Sequence, residues 1–106
     1  MVEIFVEKFG GASVNTAAAV KNVISILKRE SKKRVVVVSA MGKTTNALER
    51  IVNLWHKENR VNEEEYSALL SYHFEIIEGL FEDEEAKNAC KSLVGLIIEE
   101  SRAKLI

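Results

Sequence analysis

Two short stretches carry the residue types that could do chemistry. The first is Lys8-Phe9-Gly10-Gly11-Ala12-Ser13. A lysine on a strand end places an ammonium at the mouth of a sheet, and two glycines let backbone approach an anion closely. A helix capped by Ser13 would add unpaired N–H groups and the positive end of its dipole, with the serine hydroxyl at the same point. This combination suits the phosphates of a nucleotide; the same residues equally describe a tight turn with an ordinary serine cap. The second stretch is Ser39-Ala40-Met41-Gly42-Lys43-Thr44-Thr45-Asn46. Its Gly-Lys-Thr invites a phosphate-loop reading, but that motif needs a glycine five residues before Gly42, where the chain has Val37. What remains is a loop dense in hydroxyls and amides, suited to orienting a small polar substrate or to capping a helix through Thr44 or Thr45.

Both stretches follow segments that read as strands. Val2 to Phe9 is rich in β-branched and aromatic residues, with apolar side chains on both faces. Val35-Val36-Val37-Val38-Ser39 is a second continuous apolar run. Such runs are the signature of parallel strands buried from both sides. Between them, Ala17, Val20, Val23, Ile24 and Leu27 recur at helical spacing. The result is a parallel βαβ unit, which sets the loops after its two strands side by side. In open α/β sheets ligands bind outside the carboxyl ends of the strands, so both loops are expected to face one cleft. A phosphate cradle beside a hydroxyl-rich loop is the layout for phosphoryl transfer, which needs positioning and charge neutralisation more than a nucleophile on the protein.

Three further helices follow. Leu48, Ile51, Val52 and Trp55 predict one apolar face, and Tyr66, Leu69, Leu70, His73, Phe74, Ile77 and Leu80 predict a second. Asn62 with Glu65 has the spacing of a capping box. Asp83 is the predicted cap of a last helix with the stripe Ala86, Ala89, Cys90, Leu93, Val94, Ile97 and Ile98. The last two helices are expected to form an antiparallel hairpin turning near Gly79 to Glu82.

Other candidates are weaker. His56 and His73 lack Cys or His partners at ligand spacing, so zinc is not expected, and no metal-ligating residue is assigned. His73 in an apolar stripe reads as a packing residue. Glu63-Glu64-Glu65 and Glu82-Asp83-Glu84-Glu85 sit where helices begin and read as dipole compensation. Cys90 has core spacing; as the single cysteine it forms no internal disulfide, which fits a reducing, cytoplasmic setting. With 15 Lys+Arg against 16 Asp+Glu, the chain lacks the basic excess of a nucleic-acid binder. Its longest apolar run is far too short to span a membrane.

Lys8-Phe9-Gly10-Gly11-Ala12-Ser13-Val14 resembles the signature that opens the aspartate kinases (aspartokinases), whose usual form has Thr where this chain has Ala12. Val35 to Ser39 followed by Ala40-Met41-Gly42-Lys43-Thr44-Thr45-Asn46 is similar to that family's second motif, at the matching separation. The first motif alone would fit any member of the amino acid kinase superfamily; the pair points to aspartokinases. The resemblance implies an α/β chain, the N-terminal portion of a three-layer αβα fold. It also implies phosphoryl transfer from ATP, with Mg2+, to the β-carboxylate of L-aspartate, giving 4-phospho-L-aspartate on the route to lysine, threonine and methionine. By that resemblance Lys8 stabilises the transferring phosphoryl group as the catalytic residue. Gly10, Gly11 and Ser13 join Lys8 in lining the phosphate loop, and Ser39 and Thr45 hold aspartate.

A chain of 106 residues with two strands and four helices does not complete such a fold. Residues 1–106 are therefore expected to be an N-terminal piece of the catalytic domain, inactive alone, without the nucleotide-base half or the C-terminal regulatory ACT domains. The free edge of an incomplete sheet predicts association with further copies. The alternatives are a non-catalytic anion- or partner-binding βαβ module, and another amino acid kinase with a different acceptor.

Overall fold

A computed structural model describes residues 3–29 and 31–106. It divides into two compact units, residues 1–43 and 44–106.

The first unit holds β1 (Phe5–Phe9), a 3-10 turn (Gly11–Val14), α1 (Ala17–Lys28) and β2 (Arg34–Val38). The strands are parallel and pair without offset, Phe5 opposite Arg34 and Lys8 opposite Val37. This is the predicted βαβ unit, with β1 starting later than the sequence pattern suggests; Val2 lies outside the described residues. Side chains on a strand alternate between faces. Glu7 accordingly turns to Arg34 (2.9 Å) and Lys32 (3.1 Å), and the Lys32 ammonium also sits 4.4 Å over the Phe5 ring. Neighbouring Val6 and Lys8 take the other face.

The expectation of strands buried on both sides is not met by these residues. Val6 is 71% exposed, and Val35, Val37 and Val38 are exposed as well. Runs of valine encode a strand suited to a covered sheet, but burial needs layers on both faces, and two strands supply few partners. The buried apolar side chains of this unit are Val14 and Val23.

Ser13 does not cap α1. Its backbone N–H donates to Gly10 O (3.0 Å), closing the 3-10 turn, and the true cap is Thr16, whose Oγ1 accepts from Ala19 N–H at 3.1 Å. The turn is pinned by Val14, which delays the helix by several residues.

The second unit is all helical: α2 (Thr44–Glu58), α3 (Glu63–Leu80) and α4 (Glu84–Ala103). Helix α2 ends at Asn59, which adopts a left-handed φ of 53° and returns its N–H to Trp55 O, a stop that Asn tolerates better than most side chains. Asn62 caps α3 by accepting from Glu65 N–H (3.1 Å), and Asp83 caps α4 by accepting from Ala86 N–H (2.9 Å), both as predicted. The capping box is half made, because the Glu65 carboxylate pairs with Arg50 instead.

Helices α3 and α4 form the expected antiparallel hairpin. At its turn Glu78 receives Lys87 (2.8 Å) and Lys91 (2.5 Å); at its far end Arg102 holds Glu63 (2.8 Å) and Tyr66 bonds Ser101 (3.0 Å). The core consists of Ala47 and Ile51 from α2 with Tyr66, Leu69, Ile76 and Ile77 from α3. Two predicted stripes shift. In α2 the buried row is Thr44, Ala47 and Ile51, while Leu48 and Val52 are exposed. In α4 the buried residue is Lys87, while Leu93 and Ile97 lie open. Lys87 buries its methylene stem and keeps its ammonium on Glu78 and Glu84. No helix is long and apolar enough to cross a membrane among the described residues.

Candidate functional site

The carboxyl ends of β1 and β2 carry most of the residues singled out by their chemistry. Lys8 is the penultimate residue of β1 and is exposed. Among the described residues it has no ion-pair partner. The neighbouring acid does not neutralise it, because Glu7 occupies the opposite face and is held by Lys32 and Arg34. Those two cations keep the Glu7 carboxyl below the usual carboxylate range, the Lys32 hydrogen bond contributing most. The arrangement leaves an ammonium directed to solvent at a strand end, available to an anion.

Gly10 follows in extended backbone (φ −76°, ψ 176°) and is exposed, with no heavy atom within 4 Å of where a side chain would begin. Gly11 opens the 3-10 turn, and Ser13 is half-buried inside it. The N-terminus of α1 therefore lies further along the chain than expected, at Thr16, and the segment next to Lys8 is a short turn with Ser13 at its third residue. Exposed Lys8, the open backbone at Gly10 and half-buried Ser13 thus follow one another along this stretch.

The loop after β2 lies against this turn. Ser39 N–H donates to Phe9 O (3.0 Å) and Gly42 N–H to Gly11 O (3.1 Å). Ser39 is exposed beside the end of β1. The two loops of the βαβ unit are thus joined by main-chain bonds, which brings Lys8, Gly10, Gly11, Ser13 and Ser39 into one neighbourhood. Lys43, not assigned a role from the sequence, is a second exposed cation at the end of the same loop. The signal in the sequence is its adjacency to Gly42 at the end of a strand-to-helix loop. Thr45 belongs to the second unit, where it is exposed in the first turn of α2; Thr44 beside it is buried.

The remaining candidates are structural. His73 Nδ1 lies 2.8 Å from Leu69 O and its ring packs edge-on to Tyr72, as expected of a packing histidine. It borders a cavity of about 360 Å³ in the helical unit whose walls are almost wholly apolar, with Leu48, Leu69, Val94 and Ile98 among them. Glu63 and Glu65 pair with Arg102 and Arg50, whose hydrogen bonds lower their pKa values. Cys90 is a half-buried free thiol. Among the described residues no three His, Cys, Asp or Glu stand together in a group that could hold a metal ion.

The first unit is thus a parallel βαβ unit with an exposed lysine, unpaired among the described residues, and a glycine turn at its carboxyl end. The model of the amino acid kinase family matches residues 3–102, and the chain belongs to that family. The chain is also similar to an aspartokinase of Rickettsia bellii (strain RML369-C), at 38% identity over 72 residues. That match covers 64% of this chain and spans 18% of the length of the relative.

Proposed function

We propose that the chain supplies the phosphate cradle and acceptor loop of an aspartate kinase. In this reading a carboxylate oxygen of L-aspartate attacks the γ-phosphorus of ATP, the bond to the bridging oxygen breaks, and 4-phospho-L-aspartate and ADP leave. Mg2+ is expected to travel with the nucleotide. Lys8 meets the charge on the transferring phosphoryl group, Gly10, Gly11 and Ser13 line its oxygens, and Ser39 holds the amino acid. The supporting observation is the exposed, unpaired ammonium of Lys8 beside the joined loops 9–11 and 39–42. A donor aimed at developing charge contributes differentially to the transition state, because it strengthens as the charge moves.

The test is a coupled ADP-release assay with ATP, Mg2+ and L-aspartate on the full-length enzyme carrying this sequence. Lys8→Ala is expected to lower kcat by roughly 10²–10³-fold, the loss typical of removing one strong electrostatic stabiliser. An unchanged kcat refutes the role of Lys8. A panel of other carboxylate acceptors, with one outpacing aspartate, refutes the substrate. Residues 1–106 alone are expected to give no turnover, and turnover by them would refute the reading of this chain as an incomplete part of the catalytic domain.

A further inference from the structure

The two glycines of the first loop have different surroundings. A Cβ built on Gly10 meets nothing within 4 Å, whereas one on Gly11 would lie 2.6 Å from Gly42 O and 3.3 Å from Ala40 O. The first distance is shorter than a carbon and a carbonyl oxygen can sustain, and the obstacle is backbone, which cannot swing aside as a side-chain end does. The space a side chain would take at Gly11 is filled by the main chain of the second loop. Gly42 itself has φ 56°, the left-handed conformation that glycine adopts freely. Its N–H bonds Gly11 O at 3.1 Å, and Ser39 N–H bonds Phe9 O at 3.0 Å. The loop from Ser39 to Gly42 is therefore held at both ends on residues 9–11, with Gly11 as the seat of the distal end.

The geometry points to Gly11 as a positioning residue that seats the Ala40–Gly42 loop and so sets where Ser39 stands relative to Lys8. This rests on the proposed function in taking the first loop as the phosphate side and the second as the acceptor side. Gly10 has open space where a side chain would begin, whereas at Gly11 that space is given over to the other loop, its main chain staying on the phosphate side. A side chain at Gly11 displaces the acceptor loop, and its effect falls on the acceptor more than on the nucleotide.

Two measurements test this. In the full chain, amide hydrogen exchange should show the Gly42 N–H protected at least tenfold over an unstructured amide, because a bonded amide must open to exchange. Gly11→Ala should abolish that protection while the α1 amides keep theirs, and Gly10→Ala should preserve it. Gly42→Ala, strained at positive φ, should reproduce the Gly11→Ala signature. Steady-state kinetics of the full-length enzyme should show Gly11→Ala raising the KM for aspartate tenfold or more with a smaller change in the KM for ATP. An unprotected Gly42 amide in the unaltered chain overturns the proposal, even where Gly11→Ala fails to fold. Retained Gly42 protection in a folded Gly11→Ala chain also overturns it, as does a rise confined to the KM for ATP. Loss of Gly42 protection in Gly11→Ala, with aspartate failing as a substrate of the unaltered enzyme, supports the seating and refutes the substrate reading instead.

Discussion

Consider Ile51→Ala and Val52→Ala, neighbouring changes in α2. Ile51 is 1% exposed and Val52 is 58% exposed, although both belong to the apolar face expected from the sequence. Ile51→Ala removes three buried carbons, worth about 0.8 kcal/mol each as transferred area, before any cavity is counted. Incomplete collapse of the core around the site adds to this, giving a loss of about 3 kcal/mol within the 2–5 range for such changes. For a cooperative unit of this size that corresponds to a Tm drop of about 12–24 °C, at about 4–8 °C per kcal/mol. Val52→Ala removes little buried surface and replaces a β-branched residue with the best helix former, so its effect should stay within about 0.5 kcal/mol. Thermal unfolding of residues 1–106 followed by circular dichroism at 222 nm reads both. Equal shifts from the two variants would refute the assignment of the core to the Thr44–Ala47–Ile51 row.

The caps give a second contrast. Thr16→Ala should destabilise by about 1 kcal/mol, as loss of an N-cap does, while Ser13→Ala should cost no cap energy; chemical denaturation midpoints separate them. Acid should loosen the hairpin. Glu78, held at about 2 by the hydrogen bonds of Lys87 and then Lys91, has a folded pKa below the ordinary 4.5. Such a group stabilises the fold above its unfolded pKa, and the contribution drains away as pH falls from about 4.5 towards 2. Glu63 and Glu65 act in the same direction through Arg102 and Arg50. These pairs lie largely at the surface, so a melting series between pH 5 and 2 should show a shallow decline, flatter in high salt, and Glu78→Gln should flatten it further. A melting temperature that rises as pH falls through that window would contradict the assignment.

What was legible in the sequence was local. Asn62 and Asp83 are caps because their side chains reach N–H groups three residues on, a relation any short window contains. The same rule pointed to Ser13 for α1, and the cap is Thr16 instead, because Gly10 O closes a turn over Ser13 with Val14 buried beneath it. Valine runs revealed strands but not their cover, since composition records what a face suits and not what lies against it. In α2 the largest apolar residues drew the predicted face, whereas the packed row uses Thr44 and Ala47, small enough for close approach. Lys8 could be picked out by type and position. The seating of the second loop on Gly11 could not, because it depends on a contact about thirty residues away in sequence.

The pairing of β1 with β2 has a consequence for insertions and deletions. Glu7 and Lys8 are consecutive, so they stand on opposite faces, the acid among Lys32 and Arg34 and the lysine towards the open side. A slip of β1 by one residue exchanges the faces of every side chain. It would turn a carboxylate to the side where Lys8 stands and drive an ammonium among two cations. The strand thus works as a charge sorter: a single added or lost residue before Lys8 would reverse the sign of the charge on each face while leaving the composition intact.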